Sequence, residues 1–147
     1  MYDSVFAPTD GSDRSDIALE HAIDLAETYD ATLHTQYVVQ SSPAFESDLD
    51  DDVEADVYGS LFDAGERAVD AVADRATAAG LTDVETAVDR GQPHEEILEY
   101  VERNDIDIVV MATAGRTGPS RELLGSVTER VIRMSPVPVV TVAEDRR

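Results

Sequence analysis

The sequence predicts an α/β fold in which an open five-stranded parallel sheet carries helices on both faces. Five short apolar segments alternate with four segments of helical period, and the connections between them are short, without an internal repeat or a linker. Alternating strands and helices form right-handed βαβ units, which assemble into a parallel, Rossmann-like sheet. The 147 residues are enough for one domain with a sizeable core, which we place over residues 1–147.

The first three elements are a strand, a helix and a strand. Residues 2–7 form a short apolar strand, and residues 12–29 carry apolar side chains at helical spacing. A second strand falls within residues 31–40. On this strand, His34 and Tyr37 are interpreted as residues of the strand faces rather than as reactive groups.

An acidic stretch over residues 46–56 follows the second strand. It lacks the glycine that a calcium-binding loop requires, because Val53 stands at that position. We interpret the stretch as a solvated loop that leads into the second helix. That helix is predicted from about Val57 to Ala79, with Gly80 closing it.

The second half of the chain continues the alternation. Residues 84–89 alternate in polarity, which suits a strand at a sheet edge, and residues 93–104 form a helix that begins with proline. The apolar run over residues 106–111 predicts a strand buried on both faces. The last helix ends near Met134, and residues 139–142 form the last strand.

The connection between the fourth strand and the last helix is rich in glycine. Gly115 and Gly118 allow close backbone approach, and Gly125 is followed by the hydroxyl of Ser126. A strand, a glycine loop and a helix place backbone N–H groups and a helix N-terminus around an anion. The pattern indicates a phosphate-binding loop. The alternative is an ordinary strand-to-helix connection in which the glycines serve only the turn.

The loop after the first strand, Pro8-Thr9-Asp10-Gly11-Ser12, is a second candidate. Ligands of open parallel sheets bind beyond the carboxyl ends of the strands, and Asp10 lies just past such an end. Its carboxylate could bind a metal ion or a ribose hydroxyl. Alternatively, Asp10 or Ser12 caps the following helix.

The composition limits the partners. A formal net charge of −21 and a pI of about 4.1 disfavour nucleic acid and anionic membrane surfaces. All 11 basic residues are arginine, and lysine is absent. An acidic, lysine-free surface suits concentrated salt, where screening removes self-repulsion. The alternative is a mesophilic acidic protein from a high-GC genome.

Several classes of activity lack their residues in this sequence. The chain has no cysteine, which excludes disulfides, thiol chemistry and cysteine metal sites. Without lysine it cannot carry a Walker motif, and it has neither a Gly-x-Ser-x-Gly elbow nor a metal-ligand cluster. Because these motifs are missing, we expect no catalytic residues. No signal peptide or membrane-length apolar run is present, so we expect a cytoplasmic protein.

Two motifs resemble those of the universal stress proteins of the UspA type. One is the loop from Pro8 to Ser12. The other is Ala112-x2-Gly115-x9-Gly125-Ser126, which is similar to the Gly-x2-Gly-x9-Gly-Ser/Thr motif of the ATP-binding members. The spacing of nine is intact, whereas Ala112 stands where the family has glycine. The likeness covers the whole chain, and with the lysine-free surface it implies a haloarchaeal member.

The resemblance implies the strand order 3-2-1-4-5 and a site for ATP with Mg²⁺. Asp10 is implied as the metal ligand, and Val38 is implied to lie against the adenine ring. The positions implied at the nucleotide are Pro8, Thr9, Asp10, Val38, Met111, Ala112, Gly115, Arg116, Gly118, Gly125, Ser126 and Val127.

The resemblance also implies a function. We expect an ATP-binding stress-response or signalling module that acts as a homodimer, paired through Val137 to Val142, with at most weak ATP hydrolysis. The alternative is a nucleotide-independent stress protein that acts by dimerising and docking partner proteins.

Overall fold

The computed structural model describes residues 1–41, 50–113 and 124–143. The strands are β1 (Ser4–Phe6), β2 (Thr32–Gln40), β3 (Val84–Gly91), β4 (Ile108–Ala112) and β5 (Val139–Val142). The helices are α1 (Asp13–Tyr29), α2 (Asp51–Ala78), α3 (Pro93–Arg103) and α4 (Ser126–Met134).

The five strands form one parallel sheet in the order β3-β2-β1-β4-β5, which confirms the predicted fold class. The central strand β1 pairs with β2 on one side and with β4 on the other. The chain therefore leaves β1 and β4 toward opposite halves of the sheet. This divergence opens a crevice at the carboxyl ends of the two strands, where ligands of open α/β sheets bind.

The helices cover both faces of the sheet. On one face, α1 buries apolar side chains such as Leu19 against β1 and β4, and α2 buries Val72 and its neighbours against β2 and β3. On the other face, α3 and α4 bury Ile97 and Val131 against the alternate residues of the same strands. A strand buried on both faces explains the unbroken apolar sequence of β4.

The predicted start of the second helix was wrong. Helix α2 begins at Asp51, not near Val57, because the Asp50 carboxylate accepts the backbone N–H of Val53 at 2.8 Å and caps the helix. The acidic side chains that follow lie in the first turn, where the positive end of the helix dipole favours them. Part of the acidic stretch is therefore helical, and residues 42–49 lie outside the described part.

Two strands also differ in their bounds. Strand β3 extends to Gly91, since its last residues continue to pair with β2. Strand β4 begins at Ile108, and just before it the carboxylate of Asp107 accepts the backbone N–H groups of Asp3 and Ser4 at 2.8 and 2.9 Å. Because the strands are parallel, these differences do not change the arrangement of the carboxyl ends of β1, β2 and β4, which lie at the same edge of the sheet.

Candidate functional site

A cleft of about 680 Å³ opens at this carboxyl edge. Its volume falls within the range of small-molecule sites, roughly 300–1,000 Å³. Of the positions predicted from the sequence, those that line it are Pro8, Thr9, Asp10, Val38, Met111, Ala112, Gly125, Ser126 and Val127. The predicted positions Gly115, Arg116 and Gly118 lie outside the described residues.

The β1–α1 loop forms one wall of the cleft. The backbone N–H of Thr9 donates to the carbonyl of Gln36 at 2.9 Å, which extends the sheet ladder beyond β1. The Thr9 hydroxyl accepts the N–H of Gly11 at 3.1 Å, and the Asp10 carboxylate accepts the N–H of Ser12 at 2.9 Å. These bonds fix the loop and hold Asp10 at the cleft wall.

The same loop caps helix α1. The Ser12 hydroxyl accepts the backbone N–H of Ser15 at 3.3 Å, so the cap is Ser12 and not Asp10. The hydroxyl of Ser15 in turn donates to the carbonyl of Ser12 at 2.9 Å. The N-terminus of α1 is thus capped by the side chain of Ser12, the residue that directly precedes the helix.

The opposite wall is the segment that leads into α4. The N–H of Gly125 donates to the carbonyl of Thr113 at 2.7 Å, and the Thr128 hydroxyl donates to the carbonyl of Ala112 at 2.9 Å. These two bonds hold the start of α4 against the end of β4. Residues 125–128 consequently line the cleft next to that strand.

The N-terminus of α4 differs from that of α1 because its N-cap is glycine. Gly125 has no side chain that could accept a backbone N–H. The first intrahelical bond runs from the N–H of Glu129 to the carbonyl of Gly125 at 3.0 Å. The amides of residues 126–128 precede that bond and have no intrahelical acceptor, and these residues line the cleft at the positive end of the helix dipole.

The methyl group of Ala112, at the position where the family motif has glycine, packs against the core on the α1 face. The carbonyl of the same residue accepts the hydroxyl of Thr128. The side chain of Ala112 therefore has an apolar contact even though the residue borders the cleft.

The cleft is far less acidic than the protein as a whole. The chain carries 32 acidic residues, yet among the described residues that line the cleft only Asp10 and Glu129 are charged. An anion in the cleft therefore meets backbone donors and hydroxyl groups and few carboxylates.

Gln36, in the middle of β2, is a cleft residue that the sequence analysis missed. Its side chain is only 1% exposed, and its Nε2 donates to Asp89 Oδ2 at 2.8 Å and to the carbonyl of Glu96 at 3.3 Å. Its Oε1 has no hydrogen-bond partner among the described residues. The available signal was a long amide side chain in the middle of a strand next to the apolar residues 37–39.

Beside Gln36 the structure also buries a titratable pair. His34 Nδ1 and the hydroxyl of Tyr100 lie 2.8 Å apart, and Tyr100 stacks on Phe6. Burial lowers the pKa of His34, against the opposing influence of Glu85, and burial raises the pKa of Tyr100 to about 12. Both side chains are therefore neutral near pH 7 and serve packing, in keeping with the strand-face interpretation of His34.

The pKa of the Glu96 carboxyl is also shifted. Burial raises the pKa of its carboxyl, and the neighbouring Glu99 and Asp89 raise it further, while Arg103 lowers it. Its carbonyl is the second acceptor of the Gln36 amide, which links α3 to the floor of the cleft.

The remaining cleft residues either lie close in sequence to predicted positions or, in α2 and α3, belong to segments that no motif marks. They are Ser15, Tyr37, Val39, Gln40, Leu61, Pro93, Ile97, Leu124, Thr128 and Glu129. Within the described ranges, no cluster of three or more histidine or acidic side chains could hold a metal ion. Nor does any helix in those ranges have the length and apolar character needed to cross a membrane.

Comparison with known proteins identifies relatives along the whole chain. The sequence model of the Universal stress protein family matches residues 1–143. The chain is 37% identical over 147 residues to Universal stress protein MJ0531 of Methanocaldococcus jannaschii, covering 100% of this chain and 85% of that relative.

Two solved structures share the fold over nearly their full length. One is protein MJ0577 of Methanocaldococcus jannaschii, with 27% identity, a TM-score of 0.87 and coverage of 100% of this chain and 99% of the other. The other is a universal stress protein in complex with cAMP, with 28% identity, a TM-score of 0.69 and 96% coverage of both chains.

Proposed function

Because the chain belongs to the universal stress protein family, we propose that it is a stress-response or signalling module that binds an adenine nucleotide, ATP with Mg²⁺, in the cleft. The observation that carries this proposal is the glycine N-cap of α4, which leaves the first backbone amides of a cleft-lining helix without a capping side chain, beside Ser126. Such a helix N-terminus suits a phosphate group. A structural relative that binds cAMP supports an adenine nucleotide as the ligand.

The two ends of the cleft suit the two ends of a nucleotide. Residues 125–128, next to β4, would hold the phosphates, together with Gly115, Arg116 and Gly118 as the family motif implies. At the other end, Val38, Pro8 and Ile97 offer apolar surface for a base. Met111 and Thr9 lie between these ends, at the carboxyl ends of β4 and β1.

Among the described residues of the cleft, the carboxylates that could bind Mg²⁺ are those of Asp10 and Glu129. Asp10 would hold the ion together with the phosphates, since magnesium is commonly bound by one or two carboxylates plus phosphate oxygens. Ala112 in place of glycine is compatible with this proposal, because its methyl group packs against the core. With no lysine in the chain, we expect hydrolysis to be weak at most.

Ser126→Ala tests the phosphate end. Loss of the hydroxyl should weaken binding of ATP with Mg²⁺ by about 0.5–1.5 kcal/mol, the net value of one hydrogen bond. Calorimetric titration in molar KCl measures it. The matched control is Ser135→Ala at the other end of α4, where the hydroxyl donates to the carbonyl of Val137. A wild-type protein that binds no adenine nucleotide would instead favour the nucleotide-independent alternative.

We also propose that the protein is a homodimer paired through β5. This strand is a sheet edge, its residues are uncharged, and Val140 is 36% exposed. An apolar edge is commonly covered or paired, and two copies related by a twofold axis would pair both edges. Val140→Asp should give folded monomers, whereas Val140→Thr should remain a dimer. Sedimentation in high salt decides, and a wild-type mass near 15.9 kDa would contradict the proposal.

The setting that we propose is the cytoplasm of a salt-adapted cell. The net charge of −21 without lysine is the supporting observation, because concentrated salt screens the repulsion between carboxylates. Binding and assembly are therefore best measured in molar KCl.

A further inference from the structure

The buried amide of Gln36 has one hydrogen-bonding atom that the protein does not use. Both partners of its Nε2, the carboxylate of Asp89 and the carbonyl of Glu96, are acceptors. The nitrogen must therefore face them, and the amide cannot be turned over without placing two acceptors together. This fixes Oε1 as an acceptor without a partner among the described residues. A buried acceptor without a hydrogen-bond partner costs free energy, because it has lost its bonds to water. A hydrogen-bond donor on a ligand would offset that cost.

Gln36 belongs to the end of the cleft that is remote from α4. It lies on β2, and β1 separates β2 from β4. Two strand spacings amount to about 10 Å. This separation matches the extent of a nucleotide from its phosphates to its base. With the phosphates at residues 125–128, the base falls beside Val38 and Ile97, where Gln36 supplies a polar group among apolar ones.

We propose that Gln36 is a specificity-determining residue whose Oε1 accepts a hydrogen bond from the exocyclic amino group of adenine. This inference rests on the proposed nucleotide function. The terminal torsion of glutamine is broad, so the amide can tilt toward the cleft. Of the two bonds that Nε2 donates, the one to Glu96 is the longer at 3.3 Å, and the one to Asp89 measures 2.8 Å.

The proposal predicts which bases are rejected. Hypoxanthine carries a carbonyl oxygen where adenine carries the amino group, so it would oppose one acceptor to another. Unsubstituted purine carries only a hydrogen atom there and leaves Oε1 unpaired. Sites built around a hydrogen bond discriminate strongly against analogues that lack the matching group.

The experiment compares ATP, inosine triphosphate and purine riboside triphosphate, each with Mg²⁺, by calorimetric titration in molar KCl. The wild-type protein should bind ATP at least about tenfold more tightly than inosine triphosphate. Gln36→Met keeps the shape of the side chain and removes the amide. It should bind ATP about 3- to 10-fold more weakly, with no matching loss for inosine triphosphate.

Thr35→Val is the matched control. Thr35 is the neighbouring buried polar residue on β2, its hydroxyl donates to the carbonyl of Ala7 at 2.8 Å, and it does not line the cleft. This variant should lose stability and keep the wild-type ratio of ATP to inosine triphosphate affinity. A merely structural role of Gln36 would weaken both nucleotides equally in Gln36→Met.

The outcomes separate the two proposals. An unchanged ratio of ATP to inosine triphosphate affinity in Gln36→Met would overturn the role of Gln36 and leave nucleotide binding intact. Absence of binding of any of the three nucleotides by the wild-type protein would overturn both. If Gln36→Met does not fold, the wild-type protein still decides, because purine riboside triphosphate should bind about 3- to 10-fold more weakly than ATP.

Discussion

Of the helices that begin at the cleft, α1 and α4 have first turns that are built differently. Helix α1 has Ser12 as its N-cap, with Asp13 and Asp16 in the first turn. Helix α4 has Gly125 as its N-cap, so no side chain of that residue can accept a backbone N–H. Helix α1 follows β1 and helix α4 follows the neighbouring strand β4, and both helices contribute residues to the cleft wall. The N-cap residue of α1 bonds an amide of its own helix, whereas the N-cap residue of α4 does not.

The difference determines at which helix N-terminus an anion binds in the cleft. At α1, the protein's own hydroxyl and carboxylates already meet the positive end of the dipole and would repel a phosphate group. At α4, an incoming phosphate can take the place of the missing cap. The position of the phosphates then assigns the base to the β2 end, where Gln36 lies.

The largest expected effect comes from giving α4 the kind of cap that α1 has. Gly125 has φ −67° and ψ 154°, an extended conformation open to any residue. Gly125→Asp should lower ATP affinity by more than about tenfold, because the carboxylate takes up the amides and repels phosphate. Stability should be unchanged or rise by a few tenths of a kcal/mol, as expected for replacing a glycine cap. Titration calorimetry and urea unfolding provide the two readouts.

Gly125→Ser is the control for charge at that position. It adds a capping hydroxyl without a negative charge, so its loss of affinity should be clearly smaller. Wild-type ATP affinity in Gly125→Asp would mean that the glycine N-cap of α4 has no part in binding.

A smaller effect, on stability alone, is expected at α1. Ser12→Ala removes the acceptor of the Ser15 amide and should lower the free energy of unfolding by about 0.5–2 kcal/mol. ATP affinity should stay within about twofold, since this cap already belongs to the protein. Ser12→Asp should retain stability. A fall in ATP affinity as large as that of Ser126→Ala would show that the two N-termini do not differ in the way described.

The fold was predictable from the sequence to different degrees. The alternation of patterns predicted the parallel sheet, and the bounds of β5 were predicted as observed. The start of α2 was missed because acidic residues are equally typical of a solvated loop and of a first helical turn. Periodicity alone did not give the strand order, which entered through the family resemblance.

The site was predictable only where a local motif marks it. The loop at Asp10 and the segment at Gly125 carry such motifs. Gln36 does not, because its importance depends on Asp89 and Glu96, which lie 53 and 60 residues away along the chain. The contrast between the two helix N-termini likewise needs the observed helix starts, since Ser12 and Ser126 look equally suited to capping in the sequence.

Whether phosphate binds at the N-terminus of α4 and not at that of α1 can be tested by following the backbone amides of both helices during a titration of the wild-type protein with ATP and Mg²⁺. Heteronuclear NMR in molar KCl would report each amide separately. The amides of residues 126–128 should shift most, as they gain phosphate acceptors, and the Ser15 amide, already bonded to Ser12, should shift much less. Saturable binding with the larger shifts at Ser15 and the smaller ones at residues 126–128 would contradict this prediction.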